Sequence, residues 1–585
     1  MASPQLPDLC RPTRSMKLRA AIGMGALFVA LSLLVYRLAQ IQIADHDRYT
    51  RLALQQQFIN RSLSPWRGNI CDRSGHFLAT SVQRFSIFAD PSAVEHPKPT
   101  ALMLCKALGL KLGPLLSKLT RPRQFVWIKR RVSDEAAERV RRMSLEGVCL
   151  RNERQRVYPQ GRLAAHVVGF ADIDGRGLDG TELELDRLLG GMASLEALAC
   201  DARRRVIHQA GDRPFLSRAD GYDVYLTIDS YVQNIAQEEL AAAVKKHRPE
   251  CAWAIVLDAQ TGEVLALANW PDFEPGTPGA FDPADRRNRA ITDVYEFGSV
   301  MKPFTVAAAL EAGTVTPATE FNCRNGAWVV GRRTIHDVHP YGTLTVSDIV
   351  TKSSNIGAGQ IGLLVGVEEL HYRLQSFGFG APSGINLPGE VSGLLRPASR
   401  WNNHSLISVA FGQELAATPL SVACAFNVFP AGGLLLQPQI VKKITEPDNG
   451  RVVYEMRGPK AVRRVVGEQT ACQVMQMLQR VVEEGTGEPA KLQEYTMGGK
   501  TGTAQLIRTD GKGYRSDAYL GSFVGIAPVE EPRITVLVSL KAPSRNGYYG
   551  GVVAAPACAR IISRTLSYMQ VPQSPPRITV AEADR

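Results

Sequence analysis

Ser299 and Lys302 stand three apart in the stretch EFGSVMKPFTVAAALEAG. At a helix start, positions i and i+3 lie on one face, which brings the lysine amine within reach of the serine hydroxyl. The positive end of the helix favours a developing anion and disfavours a second cation. A lysine desolvated there can lose its proton near neutral pH and act as a base. A serine hydroxyl needs such a base to become a nucleophile. Alone, Ser-x-x-Lys arises by chance, and a helix cap followed by a surface lysine is the plainer account.

Two further segments carry polar groups at useful spacings. In SDIVTKSSNIGAGQIG, Ser353 and Asn355 lie two apart. From a loop or short helix both can point into one cleft, the hydroxyl passing a proton and the amide holding a carbonyl. An ordinary helix N-cap is the plainer account. In YTMGGKTGTAQLI, Lys500-Thr501-Gly502-Thr503 reads as a strand. Gly502 there would let a ligand backbone approach closely. An edge strand would show Lys500 and Gly502 on one side and Thr501 and Thr503 on the other, and an extended substrate could pair along it. A phosphate-binding loop is excluded, because Glu494 stands where that motif needs glycine.

These segments need a scaffold, and 585 residues are too many for a single core. Hydrophobic residues make up 45% and charged residues 21%, a globular composition. The net charge of +12 suits an anionic surface without choosing one. No zinc-finger spacing or basic-aromatic stripe points to nucleic acid. The ten cysteines are scattered and form no CxxC pair, so they read as small buried apolar residues.

An uncharged run of about 17 residues, 20–36, is just long enough to span a bilayer. Arg11, Arg14, Lys17 and Arg19 precede it, which puts the N-terminus in the cytoplasm and the rest outside. A cleaved signal peptide shares the basic start, but no small-x-small site follows. The expected order is a cytoplasmic tail (1–19), a single anchor (20–38), a mixed α+β pedestal (39–220), an α/β domain (221–570) and a tail (571–585). In the α/β domain, DVYLTIDSYVQNIAQEELAAAV predicts a strand, an Asp turn and a helix. Two hairpins, at 251–270 and around 519–541, predict a sheet closed by strands distant in sequence.

The order Ser-x-x-Lys, then Ser-x-Asn about 50 residues on, then Lys-Thr-Gly-Thr about 145 further, is jointly specific where each motif alone is weak. It is shared by penicillin-binding proteins and serine β-lactamases. Nearly the whole chain resembles the class B penicillin-binding proteins, nearest to their division-type septal D,D-transpeptidases. Besides the three motifs, RGNICDRSG, RVYPQGRLAAHVVGFADIDGRGLDGTE, LTIDSYVQ, NRAITDVYEFGSVMKPF, EEGTG and YYGGVVAAP carry the likeness.

The resemblance implies an anchor, a pedestal and a C-terminal transpeptidase domain of β-lactamase-like fold. It implies Ser299 as nucleophile, Lys302 as base, Ser353 as proton relay, Asn355 as holder of the donor peptide and Lys500 as modulator of site charge. Thr501, Gly502 and Thr503 would bind substrate, with the Ser299 and Thr503 N–H groups as oxyanion hole. Peptidoglycan stem peptides ending in D-Ala-D-Ala, β-lactams, a SEDS-family glycan polymerase and other division proteins are the implied partners, with no cofactor. An elongation-type homologue, a penicillin-sensing receptor or scaffold, and a β-lactamase are the alternatives. Phe297 stands where proline is usual, Glu414 where glycine is commoner and Ser421 where glutamine is usual. Cys323, His336, Asp337 and His339 are metal-ligating types, but their loose spacing favours loop residues.

Overall fold

A computed structural model describes residues 14–63, 65–192, 194–200, 206–209, 220–331, 333–508, 511 and 513–574. Two compact units emerge. One joins the N-terminal segment through Pro65 to residues 192–219, and the other holds Trp66–Gly191 and Asp220 onward.

The first unit begins with a helix at Arg14–Ala39 whose side chains are all exposed. At 1.5 Å per residue, its 26 residues reach about 39 Å, more than the roughly 30 Å bilayer core. Its most apolar 18-residue window has a mean hydropathy of 2.1, and it fits a single-pass membrane anchor. Arg11 of the basic flank lies outside the described residues, as do residues 575–585 of the expected tail. A helix at His46–Gln57 follows. Strands Phe58–Leu63, Ser194–Cys200 and Val206–Gln209 then form a small antiparallel sheet.

The second unit contains two larger sheets. One has seven strands and crosses residue 220: Asp223–Leu226 pairs in parallel with Ile70–Cys71 and antiparallel with Val441–Thr445. Its longest strand, Phe77–Ala89, pairs with Val148–Val157 and Val126–Val132. Three helices, Pro97–Leu108, Leu112–Leu119 and Asp134–Arg142, cover it with a core that includes Ile87, Leu104, Leu115, Ile128 and Val140. The family-like segments of this half meet in an ion cluster. Arg67 and Arg156 each reach the fully buried Glu182 at 2.6 Å, and Arg67 also reaches Asp186 at 2.6 Å.

The central sheet is antiparallel, in the order Val264–Trp270, Cys251–Asp258, Ile534–Lys541, Tyr514–Ala527, Gly498–Ile507. Its middle strands are buried on both faces, which explains their near-continuous apolar sequence. Helices Ser230–His247 and Ala555–Tyr568 cover one face. Asp229 caps the first, accepting from the Tyr231 and Val232 N–H groups at 3.0 and 3.3 Å. A helical layer covers the other face, with helix Lys302–Glu311 at its heart. Phe304 of that helix packs against Phe377, Phe379, Phe426 and Phe429, with ring centroids 4.8 to 5.7 Å apart. That cluster fixes the helix on which the Ser299 turn is built.

Candidate active site

Ser299 lies in a single 3₁₀ turn, Gly298–Met301, that runs directly into helix Lys302–Glu311. Pro303 sits in the first turn of the helix, where its missing N–H costs nothing. Ser299 is half-buried and Lys302 fully buried. Phe297, in the usual place of a proline, has φ −96°, outside the range near −65° that a proline ring imposes. Its ring is 1% exposed, so the position serves the core.

Ser353 ends helix Val346–Lys352 with a left-handed φ of 61°, which turns its side chain away from the helix. Its hydroxyl accepts from Lys500 Nζ at 2.9 Å and Lys302 Nζ at 3.2 Å. Lys302 also donates to the Ser353 carbonyl, and Lys500 to the Thr501 carbonyl at 3.1 Å. The first two motifs and the third, distant in sequence, thus meet at one hydroxyl.

Both lysines are fully buried, and burial dominates their titration. It pushes the Lys500 amine down to about 7. Lys302 falls well below its ordinary range, first by burial and then by the nearby Lys500 charge, with Asp337 and Cys323 opposing. Two adjacent cations in one dry site are unfavourable, so one amine stays neutral near neutral pH. With Lys302 neutral, its bond to Ser353 can reverse, the hydroxyl donating to the amine.

Strand Gly498–Ile507 is the sheet edge beside the Ser299 turn. A Cβ on Gly502 would lie 2.4 Å from Val300 Cγ2 and 2.6 Å from the Phe297 carbonyl. The space that a Cβ on Gly502 would take is therefore filled by the Ser299 turn. Thr501 shares a hydrogen bond of 2.6 Å with Thr486, and Thr503 accepts from the Gly550 N–H at 3.0 Å. The EEGTG and YYGG segments are thus drawn to the same edge.

Asn355 opens helix Asn355–Val365, behind the Ser354 cap. Its amide donates to the His336 carbonyl at 2.8 Å. Asp337, noted in the sequence only as a metal-ligating type, organises this motif. Its carboxylate accepts from the Asn355 and Ile356 N–H groups at 2.5 and 3.0 Å and from the Ser354 hydroxyl at 2.6 Å. Cys323 lies 3.4 Å from the same hydroxyl, and His339 instead meets the Tyr341 ring. Among the described residues no three metal-ligating side chains gather into a site.

The other two departures from the family pattern also take shape here. Glu414 has φ 61°, the left-handed region where glycine is relaxed, and its carboxylate pairs with Arg396. Ser421 and Thr418 share a 2.7 Å hydrogen bond at the start of helix Pro419–Phe426. Glu296 and Tyr514, which share a hydrogen bond of 2.9 Å, were not singled out in the sequence, and Asp337 was noted there only as a metal-ligating type. The EFGS context of Glu296 and the buried-polar pattern of the site were the only signals, and neither reveals a partner.

Residues 252–563 match the family described as penicillin binding protein transpeptidase domain, and residues 62–226 match the penicillin-binding protein dimerisation domain. A probable peptidoglycan D,D-transpeptidase PenA of Neisseria meningitidis is 34% identical over 96% of this chain and 95% of its own. Peptidoglycan D,D-transpeptidase FtsI of Escherichia coli is 31% identical over 94% and 92%. The crystal structure of penicillin-binding protein 3 of Mycobacterium tuberculosis with aztreonam aligns with TM-score 0.68 and 30% identity, over 88% of this chain and 99% of that one. The chain belongs to the penicillin-binding protein transpeptidases. The dimerisation domain ahead of the transpeptidase domain makes it one of class B.

Proposed function

We propose that this chain is a peptidoglycan D,D-transpeptidase working through an acyl-enzyme on Ser299. The observation that carries the assignment is the Ser353 hydroxyl held between two fully buried lysines, Lys302 and Lys500, beside the Ser299 turn. The names of the PenA and FtsI relatives support the same activity.

Neutral Lys302 takes the Ser299 proton as Oγ attacks the carbonyl of the penultimate D-alanine. The Ser299 and Thr503 N–H groups stabilise the oxyanion, a term worth about 2.7–4 kcal/mol for one donor elsewhere. As the bond to the terminal D-alanine breaks, the proton passes through Ser353 to the departing amine. Asn355 holds the donor peptide. Thr501 and Thr503 receive its terminal carboxylate, and Lys500 tunes the charge of the site. The amine of a second stem peptide then resolves the ester and closes the cross-link. A β-lactam follows the first half of this path and stays on Ser299.

We assign the reaction to septal wall synthesis beside a SEDS-family polymerase and other division proteins. The N-terminus lies in the cytoplasm and the enzyme domain outside, on the basic flank of Arg14, Lys17 and Arg19. A fluorescent penicillin should label the full-length protein covalently, and Ser299→Ala should abolish the label. Label persisting on Ser299→Ala sinks the assignment. Depletion in the native cell should give filaments; rounded cells would move the role to elongation.

A further inference from the structure

Glu296 lies three residues before Ser299, buried to 8% exposure. It makes no bond to the lysines or to Ser353 among the described hydrogen bonds, so the chemistry above leaves it unused. One carboxylate oxygen accepts from the Glu414 N–H at 2.9 Å. The other accepts from the Tyr514 hydroxyl at 2.9 Å. Tyr514 begins strand Tyr514–Ala527, which pairs with the strand bearing Lys500-Thr501-Gly502.

The segment on the Glu414 side is fixed to the same turn by backbone. Tyr295 and Ala417 exchange two bonds of 3.0 Å, and the Gly298 N–H donates to the Gly412 carbonyl at 3.1 Å. Contact here is tight enough that a Cβ on Gly412 would lie 2.0 Å from the Gly298 carbonyl. Glu414 itself holds the left-handed conformation that delivers its N–H, a strained one for a side-chain-bearing residue. Its own carboxylate is held by Arg396, which also donates to Ser405 at 3.1 Å. Three chain segments therefore converge on the Glu296 carboxylate, and each is fixed elsewhere.

We propose that Glu296 is a positioning residue for Ser299, its carboxylate joining the nucleophile turn to Tyr514 of the neighbouring strand and to the Glu414 turn. The inference rests on Ser299 being the acylated nucleophile. A buried carboxylate with both oxygens engaged cannot shift without losing a bond, so it sets where the turn sits relative to the edge strand. Tyr514 is the side-chain partner, and its bond to Glu296 is the one link that a conservative change removes without touching the backbone.

The test measures acylation of the full-length protein by a fluorescent penicillin, separating the saturating rate from the half-saturating concentration. Tyr514→Phe, Glu296→Gln and the double variant are compared with wild type. Misplacement of a reacting atom by a small distance costs rate more than binding. Glu296→Gln should lower the saturating rate by about tenfold or more, with little change in half-saturation. Tyr514→Phe should lower it by a smaller factor in the same direction, and the double variant should be no worse than Glu296→Gln, because one link is shared. Ser299→Ala run alongside must lose all label; if it does not, the nucleophile assignment has failed and not this inference. Tyr514→Phe that acylates at the wild-type rate, or effects that multiply in the double variant, would overturn the proposal. So would a Glu296→Gln protein whose folded fraction falls while the rate per labelled molecule is unchanged, since that is a purely structural role.

Discussion

Replacing Lys500 by methionine should make the protein more stable near neutral pH while disabling it. The reason is the burial of an amine that has only neutral hydrogen-bond partners, the Ser353 hydroxyl and the Thr501 carbonyl. Burial carries this amine from 10.5 to about 7. The unfolded chain therefore binds more protons than the folded one between those two values. The penalty is fully present below about pH 7, shrinks as pH rises and is gone above 10.5. At 1.36 kcal/mol per pH unit, it amounts to about 4 kcal/mol at pH 7 and about 2 kcal/mol at pH 9. Methionine keeps an unbranched apolar stem and removes the charge, but it forfeits two hydrogen bonds of about 1 kcal/mol each. The expected balance is a gain of about 2 kcal/mol at pH 7 and no change near pH 9. Urea unfolding midpoints of wild type and Lys500→Met, measured at both pH values in the same detergent, read the difference directly. Acylation by a fluorescent penicillin should fall sharply in the variant. A variant less stable than wild type at pH 7, or a stability difference that does not change with pH, would refute the reasoning.

Two further perturbations test the support around the site. Asp337→Asn removes the carboxylate that, among the described residues, does most to hold the Lys302 amine up against burial and the nearby Lys500 charge. The Lys302 amine should drop further, so the acid limb of the acylation rate should move to lower pH. The weakened cap on helix Asn355–Val365 should cost about 1 kcal/mol in unfolding experiments; an acid limb that stays put or moves up contradicts the electrostatic account. Glu182→Gln leaves Arg67 and Arg156 buried beside a neutral amide, and unfolding should become easier by about 3–5 kcal/mol. Its remaining folded fraction should acylate normally, because the ion cluster belongs to the seven-stranded sheet and not to the Ser299 turn.

Local sequence carried much of this protein. The apolar run at 20–36 and its basic flank read directly as an anchor-like helix, because a bilayer imposes length and composition on a contiguous segment. The hairpins at 251–270 and around 519–541 were legible from short apolar runs separated by turn residues. Ser299 and Lys302, Ser353 and Asn355, and Lys500 to Thr503 were legible as motifs because each depends on neighbours within a few residues.

What joins them is not local. The Ser353 hydroxyl meets Lys302 across 51 residues and Lys500 across 147. The amines titrate low because the surrounding core excludes water, which no spacing in the chain reports. Gly502 was open to a ligand on its strand context, and only packing revealed the Phe297 carbonyl and Val300 against it. Asp337 looked like a metal-ligating type until its carboxylate was found on the Asn355 helix. Residue types and spacing therefore determined which groups could do the chemistry. Burial and contacts between distant segments decided their charge, their partners and what holds the Ser299 turn in place. Those quantities depend on solvent exclusion and on distance in space, and only the folded chain sets either.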